Sequence, residues 1–285
     1  MVIVRLKGGF GNQLFQYAAA RKTAFMHDVP LKLDLSFLEA DAAHHTKRYF
    51  ELHKLNINAE IATRQEIQAI KKQRWKNLFH PVWIKDKGVD NFLKRITRCR
   101  DQVYLDGYFQ SEKCFKPVSG IIHEEFTFKQ PLENEYLLNI QYRVESSKSV
   151  SLHFRRGDYI MNPKTSKFHG VCSIAYYQKA VEKIAEKISS PSLFIFSDDI
   201  PWVKTHFKSK FPMIFVEQSN EELHSDFRLM SLCKHNIIAN SSYSWWAAWL
   251  NANPEKIVVA PRQWYKNKRR QEQANDRVPD AWMRV

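Results

Sequence analysis

The sequence predicts an α/β protein built on parallel sheets, and three observations carry that expectation. The chain opens strand–loop–helix–strand. Its second half alternates short apolar runs with helical patterns. A polar break near Ser147 separates the halves, giving expected domains of residues 1–147 and 148–285.

V-I-V-R-L (Val2–Leu6) reads as a buried strand. The K-G-G-F-G-N-Q loop after it resembles the glycine-rich turn of dinucleotide folds. Leu14, however, stands where the third glycine of G-x-G-x-x-G belongs, which speaks against a dinucleotide cofactor. The loop still lets backbone amides approach a ligand, with Asn12 and Gln13 as side-chain donors. L-F-Q-Y-A-A-A-R-K-T-A-F-M has helical composition, and L-K-L-D-L (Leu31–Leu35) reads as a second strand. From Tyr49 to Arg100 the chain is polar and rich in Lys, Arg and Trp. I-A-T-R-Q-E-I-Q-A-I-K-K predicts a helix there, and the spacing does not order the rest. Gln102–Phe115 predicts a strand, a turn and a helix start. E-N-E-Y-L-L-N-I-Q-Y-R-V-E-S-S-K-S reads as a helix and then the polar join.

Five apolar runs follow: Val150–Phe154, Leu193–Phe196, Met213–Val216, Asn236–Ala239 and Lys256–Ala260. Helical patterns such as A-Y-Y-Q-K-A-V-E-K-I-A-E-K-I lie between them. In such a sheet, ligands bind beyond the carboxyl ends of the strands. The residues placed there are His153, Arg155, Arg156 and Asp158, then Ser197, Asp198 and Asp199, then Glu217 and Gln218. Asn240, Ser241, Ser242, Tyr243 and Ser244 follow the fourth run, and Arg262 and Gln263 the fifth. An arginine pair, a diacid and a serine cluster on one sheet edge point to a nucleotide-phosphate site, since a guanidinium fork suits phosphate oxygens. Strand alternation sends His153 and Arg155 to one face. Arg156 is counted with the binding residues, against the alternative of a structural pair with Asp158. Asp226 lies in a helical stretch, where a solvated carboxylate and a purine-reading carboxylate are both open. The tryptophans Trp245 and Trp246 are expected in the core.

The chain has 285 residues and a net charge of +14, which favours acidic partners: nucleic acid, anionic membrane or phosphorylated substrates. Its basic residues are dispersed and no nucleic-acid module is present, so the alternative of a basic nucleic-acid-binding protein is set aside. The four cysteines are scattered, without a C-x-x-C pair, which suggests a reduced intracellular setting. The opening apolar run is too short for a signal peptide, and no stretch matches a membrane span. The expectation is a cytoplasmic protein with peripheral contact at the inner, anionic membrane face. Lys71–Lys76 and K-N-K-R-R (Lys266–Arg270) are either solvated or the lipid contacts. His44 and His45 lack a third ligand at metal spacing, so no metal is expected.

H-F-R-R-G-D-Y, K-G-G-F-G-N-Q-L-F-Q-Y, D-G-Y-F-Q-S-E-K and N-S-S-Y-S-W-W-A-A-W-L-N, spread over most of the chain, together resemble the α-1,2-fucosyltransferases, the bacterial members above all. That resemblance implies a GT-B-like fold of two Rossmann-like domains facing across a cleft, the acceptor on the N-terminal side and the donor in the C-terminal half. It implies inverting transfer of L-fucose from GDP-β-L-fucose to the 2-OH of a galactose in a glycan, without metal or other cofactor. A fucosyltransferase of another linkage or with a protein acceptor is the near alternative. Arg155 matches the arginine that holds the pyrophosphate. His153 and Asp226 match guanine-reading positions, and Ser197 and Asp198 lie near the nucleoside. Ser242, Tyr243 and Ser244 match the phosphate-side loop, and Asn12 and Gln13 the loop facing the donor sugar. Asp158 is the expected proton acceptor, with orienting an arginine or capping the turn as its alternative role.

Overall fold

The computed structural model describes residues 1–40, 47–73, 83–99, 102–157, 170–217, 224–272 and 274–285. The chain divides into two compact units, Met1–Gln130 and Pro131–Val285. The division precedes the break expected at residue 147 because the helix Glu135–Glu145 packs on Ser225–Leu232 and so belongs to the second unit.

The first unit holds β1 (Val2–Arg5), β2 (Leu31–Asp34), β3 (Glu60–Ile61), β4 (Trp83–Lys85) and β5 (Val103–Asp106). They form a five-stranded sheet in the order β3-β2-β1-β5-β4, with every pairing parallel. Its helices are α1 (Phe10–His27), α2 (Ser36–Glu39), α3 (Arg64–Gln73), α4 (Val89–Ile96) and α5 (Ser119–Glu125). Helix α1 is buried nearly all round from Phe10 to Ala24, as its run of alanines and aromatics dictates. It stops at Asp28, which takes a left-handed conformation (φ 49°).

Two buried glutamines of α1 shape the glycine-rich loop before it. Gln16 pairs with both backbone groups of Lys7, each at 3.0 Å. Gln13 is fully buried; it donates to Gly8 O (3.1 Å) and Tyr49 O (2.7 Å) and accepts from the Glu51 amide (3.1 Å). A buried amide with its groups engaged stabilises the fold, whereas an unmade bond there is costly.

The second unit holds β6 (Ser149–Phe154), β7 (Ser192–Ser197), β8 (Met213–Phe215), β9 (His235–Ile237), β10 (Val258–Ala260) and β11 (Met283–Arg284). They form a six-stranded sheet, again all parallel, in the order β11-β10-β9-β6-β7-β8. Its helices are α6 (Glu135–Glu145), α7 (Ile174–Ala185), α8 (Ile200–His206), α9 (Ser225–Leu232), α10 (Ser242–Leu250) and α11 (Lys268–Glu272). The chain runs outward from β6 through β7 to β8, then returns to the other side of β6 for β9, β10 and β11. The order therefore reverses between β6 and β9, and in such sheets ligands bind at the carboxyl ends of the strands at that switch point.

Val150, Leu152 and Phe154 of β6 are buried with Leu193, Ile195, Val203, Phe207 and Ile237. The Phe154 ring stacks on Tyr177 of α7 at 3.8 Å between centroids. Trp245 and Trp246 are fully buried and meet Trp249 and Trp282, which makes them core residues as expected. Complete burial of such side chains contributes about 1.5–3 kcal/mol each for the aliphatic ones. Among the described residues, no helix is long and apolar enough to cross a membrane.

The interior strands lie where the apolar runs predict them, within a residue or two at each end. Three edge strands, β3, β4 and β11, carry no such run; β3 has both residues exposed.

Candidate active site

The strand register sets the site. Phe154 of β6 pairs with Ser197 of β7, and Leu152 pairs with Ile237 of β9. Arg155 to Gly157, Ser197 to Asp199 and Asn240 to Ser244 therefore leave the sheet on one edge. On the β7 side, Arg155 Nη1 meets Asp198 Oδ2 at 3.0 Å, with the arginine side chain 28% exposed. Arg156 turns to a different partner: its Nε donates to Asp199 Oδ2 at 3.1 Å, and its guanidinium lies over the Trp202 ring. The diacid thus pairs with the arginine pair one to one. Asp158, expected to pair with Arg156 or to serve as base, lies outside the described residues, as do His44 and His45.

On the β9 side, Ser241 is the N-cap of α10 and its side chain accepts from the Tyr243 amide. Ser242 and Tyr243 are half-buried in the first turn, where the helix dipole favours an anion. The two sides meet at His153. Its ring lies 6.0 Å from that of Tyr243, which also contacts His224 and the Phe227 edge. His153 is 5% exposed, and its Nδ1 has no hydrogen-bond partner among the described residues. Burial, then the Arg155 charge, push its pKa down to about 4, with Asp198 opposing. At neutral pH it is a neutral imidazole able to offer a donor or an acceptor to a ligand. Asp226 sits in the first turn of α9, half-buried, next to Phe227.

Several expected binding residues turn out to hold the structure. Ser197 Oγ accepts from the Asp199 amide at 2.9 Å, and Ser244 is buried with its hydroxyl directed at Ser241 O. Gln13, expected as a ligand donor, is buried with its amide engaged in three internal bonds. Arg156, expected among the binding residues, contacts Asp199 and Trp202. Asp198 holds both arginines, through Arg155 Nη1 and the Arg156 amide. Asn12 stays half-buried at the start of α1, where its Oδ1 accepts from Gln110. Sequence reading left open which serine caps the helix and passed over Trp202; the only signal for the latter is an aromatic three residues past Asp199.

The arrangement gathers a partly exposed guanidinium, a helix N-terminus and a neutral histidine at the switch point of a parallel sheet. It can seat an anionic group and a flat polar ring side by side.

Comparison with known proteins agrees in extent. The model of glycosyl transferase family 11 matches residues 1–284. The O-antigen biosynthesis glycosyltransferase WbnK of Escherichia coli is 37% identical over 91% of this chain and 93% of its own length. An alpha-1,2-colitosyltransferase of Escherichia coli is 33% identical over 100% of this chain and 99% of its own. The Sec1 galactoside 2-alpha-L-fucosyltransferase of Mus musculus is 26% identical over 88% of this chain and 64% of its own. Among solved structures, the fucosyltransferase NodZ from Bradyrhizobium aligns with a TM-score of 0.50 at 13% identity, over 87% of this chain and 93% of that one. That likeness concerns the fold alone, which is α/β with parallel sheets and GT-B-like. With the match running nearly end to end and two relatives above 30% identity, the chain belongs to glycosyl transferase family 11.

Proposed function

We propose that this enzyme moves L-fucose from GDP-β-L-fucose to the 2-OH of a galactose in an oligosaccharide or lipid-linked glycan, with inversion. The observation that carries the reading is Arg155, partly exposed on the carboxyl edge of β6 opposite the first turn of α10. Departure of GDP builds charge on the β-phosphate as the sugar becomes oxocarbenium-like. Arg155, the N-terminal dipole of α10 and the hydroxyls of Ser242 and Tyr243 are the groups we assign to stabilising that charge, which is the largest lever a preorganised site has. His153, neutral and buried, together with Asp226 supplies polar edges for the guanine. Because these groups meet the phosphate charge themselves, we hold the reaction to be metal-independent.

The mouse relative is named for fucosyl transfer and one Escherichia coli relative for colitosyl transfer, both α-1,2. The test is incubation of the purified protein with GDP-fucose or GDP-colitose and galactose-ended oligosaccharides, with and without EDTA. Fucosyl product with a 1,2 linkage by NMR, undiminished by EDTA, is expected. Product from the colitosyl donor alone overturns the choice of sugar, and loss of turnover in EDTA overturns metal independence.

Peripheral contact with an anionic membrane face rests on the net charge of +14. Co-sedimentation with phosphatidylglycerol vesicles at low salt, lost at high salt, is the expected result. No binding at low salt removes the membrane from the reading.

A further inference from the structure

We infer that Trp202 and Arg156 form a positioning clamp for Arg155, and that this clamp is why the motif carries two adjacent arginines. The inference rests on the donor-site reading above. Arg156 is only 15% exposed, with its guanidinium carbon 3.3 Å from the centroid of the Trp202 ring. Its Nε donates to Asp199 Oδ2, while Asp199 Oδ1 accepts from the Trp202 amide at 3.2 Å. One carboxylate thus ties the arginine to the start of the helix that supplies the indole. The result is a closed loop of ion pair, N-cap and cation–π contact.

The loop fixes more than Arg156. The Arg156 amide donates to Asp198 Oδ1 at 2.8 Å, and Asp198 Oδ2 holds Arg155 Nη1 at 3.0 Å. Orientation therefore passes from the indole to the Arg156 peptide, to Asp198 and to the Arg155 fork. The indole is itself held: it packs on the core of the unit, and the His206 ring stacks on it at 4.3 Å and 14°. Gly157 leaves Asp198 the room it needs, because a Cβ there would lie 2.7 Å from Asp198 Oδ2. A guanidinium over an indole face is favourable and directional, so the contact sets an angle as well as a distance. Trp202 acts through Arg155, as a positioning residue.

The test is calorimetric titration of GDP into the full chain as wild type, Trp202→Leu, Trp202→Phe, Arg155→Lys and the Arg155→Lys/Trp202→Leu double variant. Leucine keeps the apolar packing without a π face, and phenylalanine keeps the face. Trp202→Leu is expected to weaken GDP binding about tenfold and Trp202→Phe to stay within about twofold of wild type. On the Arg155→Lys background, which lacks the planar fork, Trp202→Leu is expected to add less than about twofold, since coupled positions are non-additive. Should Trp202→Leu fail to fold by circular dichroism, Asp199→Asn takes its place with the same expectations, because asparagine keeps the cap and loses the ion pair. Unchanged affinity in the variant, or an equal loss on both backgrounds, overturns the clamp alone. Absence of GDP binding by the wild type overturns the donor-site reading and the clamp together.

Discussion

Arg155→Ala is expected to lower kcat/KM for the sugar donor by roughly 10²–10³ while the protein stays folded. The two halves of that expectation have separate causes. Stability is expected to change little because the Arg155–Asp198 pair is only half-buried, with side chains 28% and 19% exposed. Exposed ion pairs contribute at most about 1 kcal/mol, less after solvent screening. Asp198 also keeps the Arg156 amide as a donor after the change. Activity changes greatly because charge on the departing phosphate grows during the reaction, and an interaction that strengthens in the transition state appears in kcat rather than in ground-state binding alone. Arg155→Lys keeps the charge and loses the fork, so it is expected to fall between, at roughly tenfold. Steady-state kinetics on both variants, with thermal melts as the folding control, decide the matter. Near-normal turnover in a folded Arg155→Ala protein would show that the guanidinium serves only its partner Asp198.

What the sequence made legible follows from how parallel sheets bury their strands. Interior strands are covered on both faces, so they read as unbroken apolar runs, and β1, β6, β7, β9 and β10 were visible for that reason. β3, β4 and β11 each pair on one side only, need no such run, and were invisible. The collection of polar residues on one sheet edge was legible because strand polarity alone places them there. Their division of labour was not. For Arg156 the alternative to ligand binding was a pair with the nearby Asp158; among the described residues its carboxylate partner is Asp199, which the β6–β7 register brings near. N-S-S-Y-S offers three serines for one cap, and the phase of α10 alone decides that Ser241 caps while Ser244 is buried. Gln13 shows the same limit: a polar residue at a loop end reads as a ligand donor, and its bonds to Tyr49 and Glu51 are visible only in the fold.

Gly107→Ala is expected to destabilise the protein by about 3 kcal/mol or more, the range of overpacked and backbone-strained sites. D-G-Y-F turns the chain sharply at the carboxyl end of β5, against the end of β4. A Cβ on Gly107 would fall inside contact distance of Asp86 Cβ, 2.8 Å from Phe109 Cζ and 3.0 Å from the Asp86 backbone nitrogen. None of these can withdraw. The Asp86 amide donates to Asp106 O at 3.2 Å, extending the β4–β5 ladder. The Asp86 carboxylate accepts from the Tyr108 and Phe109 amides at 3.2 and 2.8 Å. Phe109 is 1% exposed, has φ 49° and packs on Phe92 at 4.9 Å. The methyl group must therefore open the ladder, break the carboxylate turn or expel the ring. A calorimetric melt is expected to show the transition lowered by about 6–12 °C, at 2–4 °C per kcal/mol. Gly120→Ala is the matched control: the glycine lies in α5, nothing stands within 4 Å of its would-be Cβ, and alanine is the better helix former. That variant is expected to melt at or slightly above the wild type. A Gly107→Ala protein that melts alongside it would mean that the β4–β5 turn yields without cost, and that the glycine of D-G-Y-F is kept for some reason other than space.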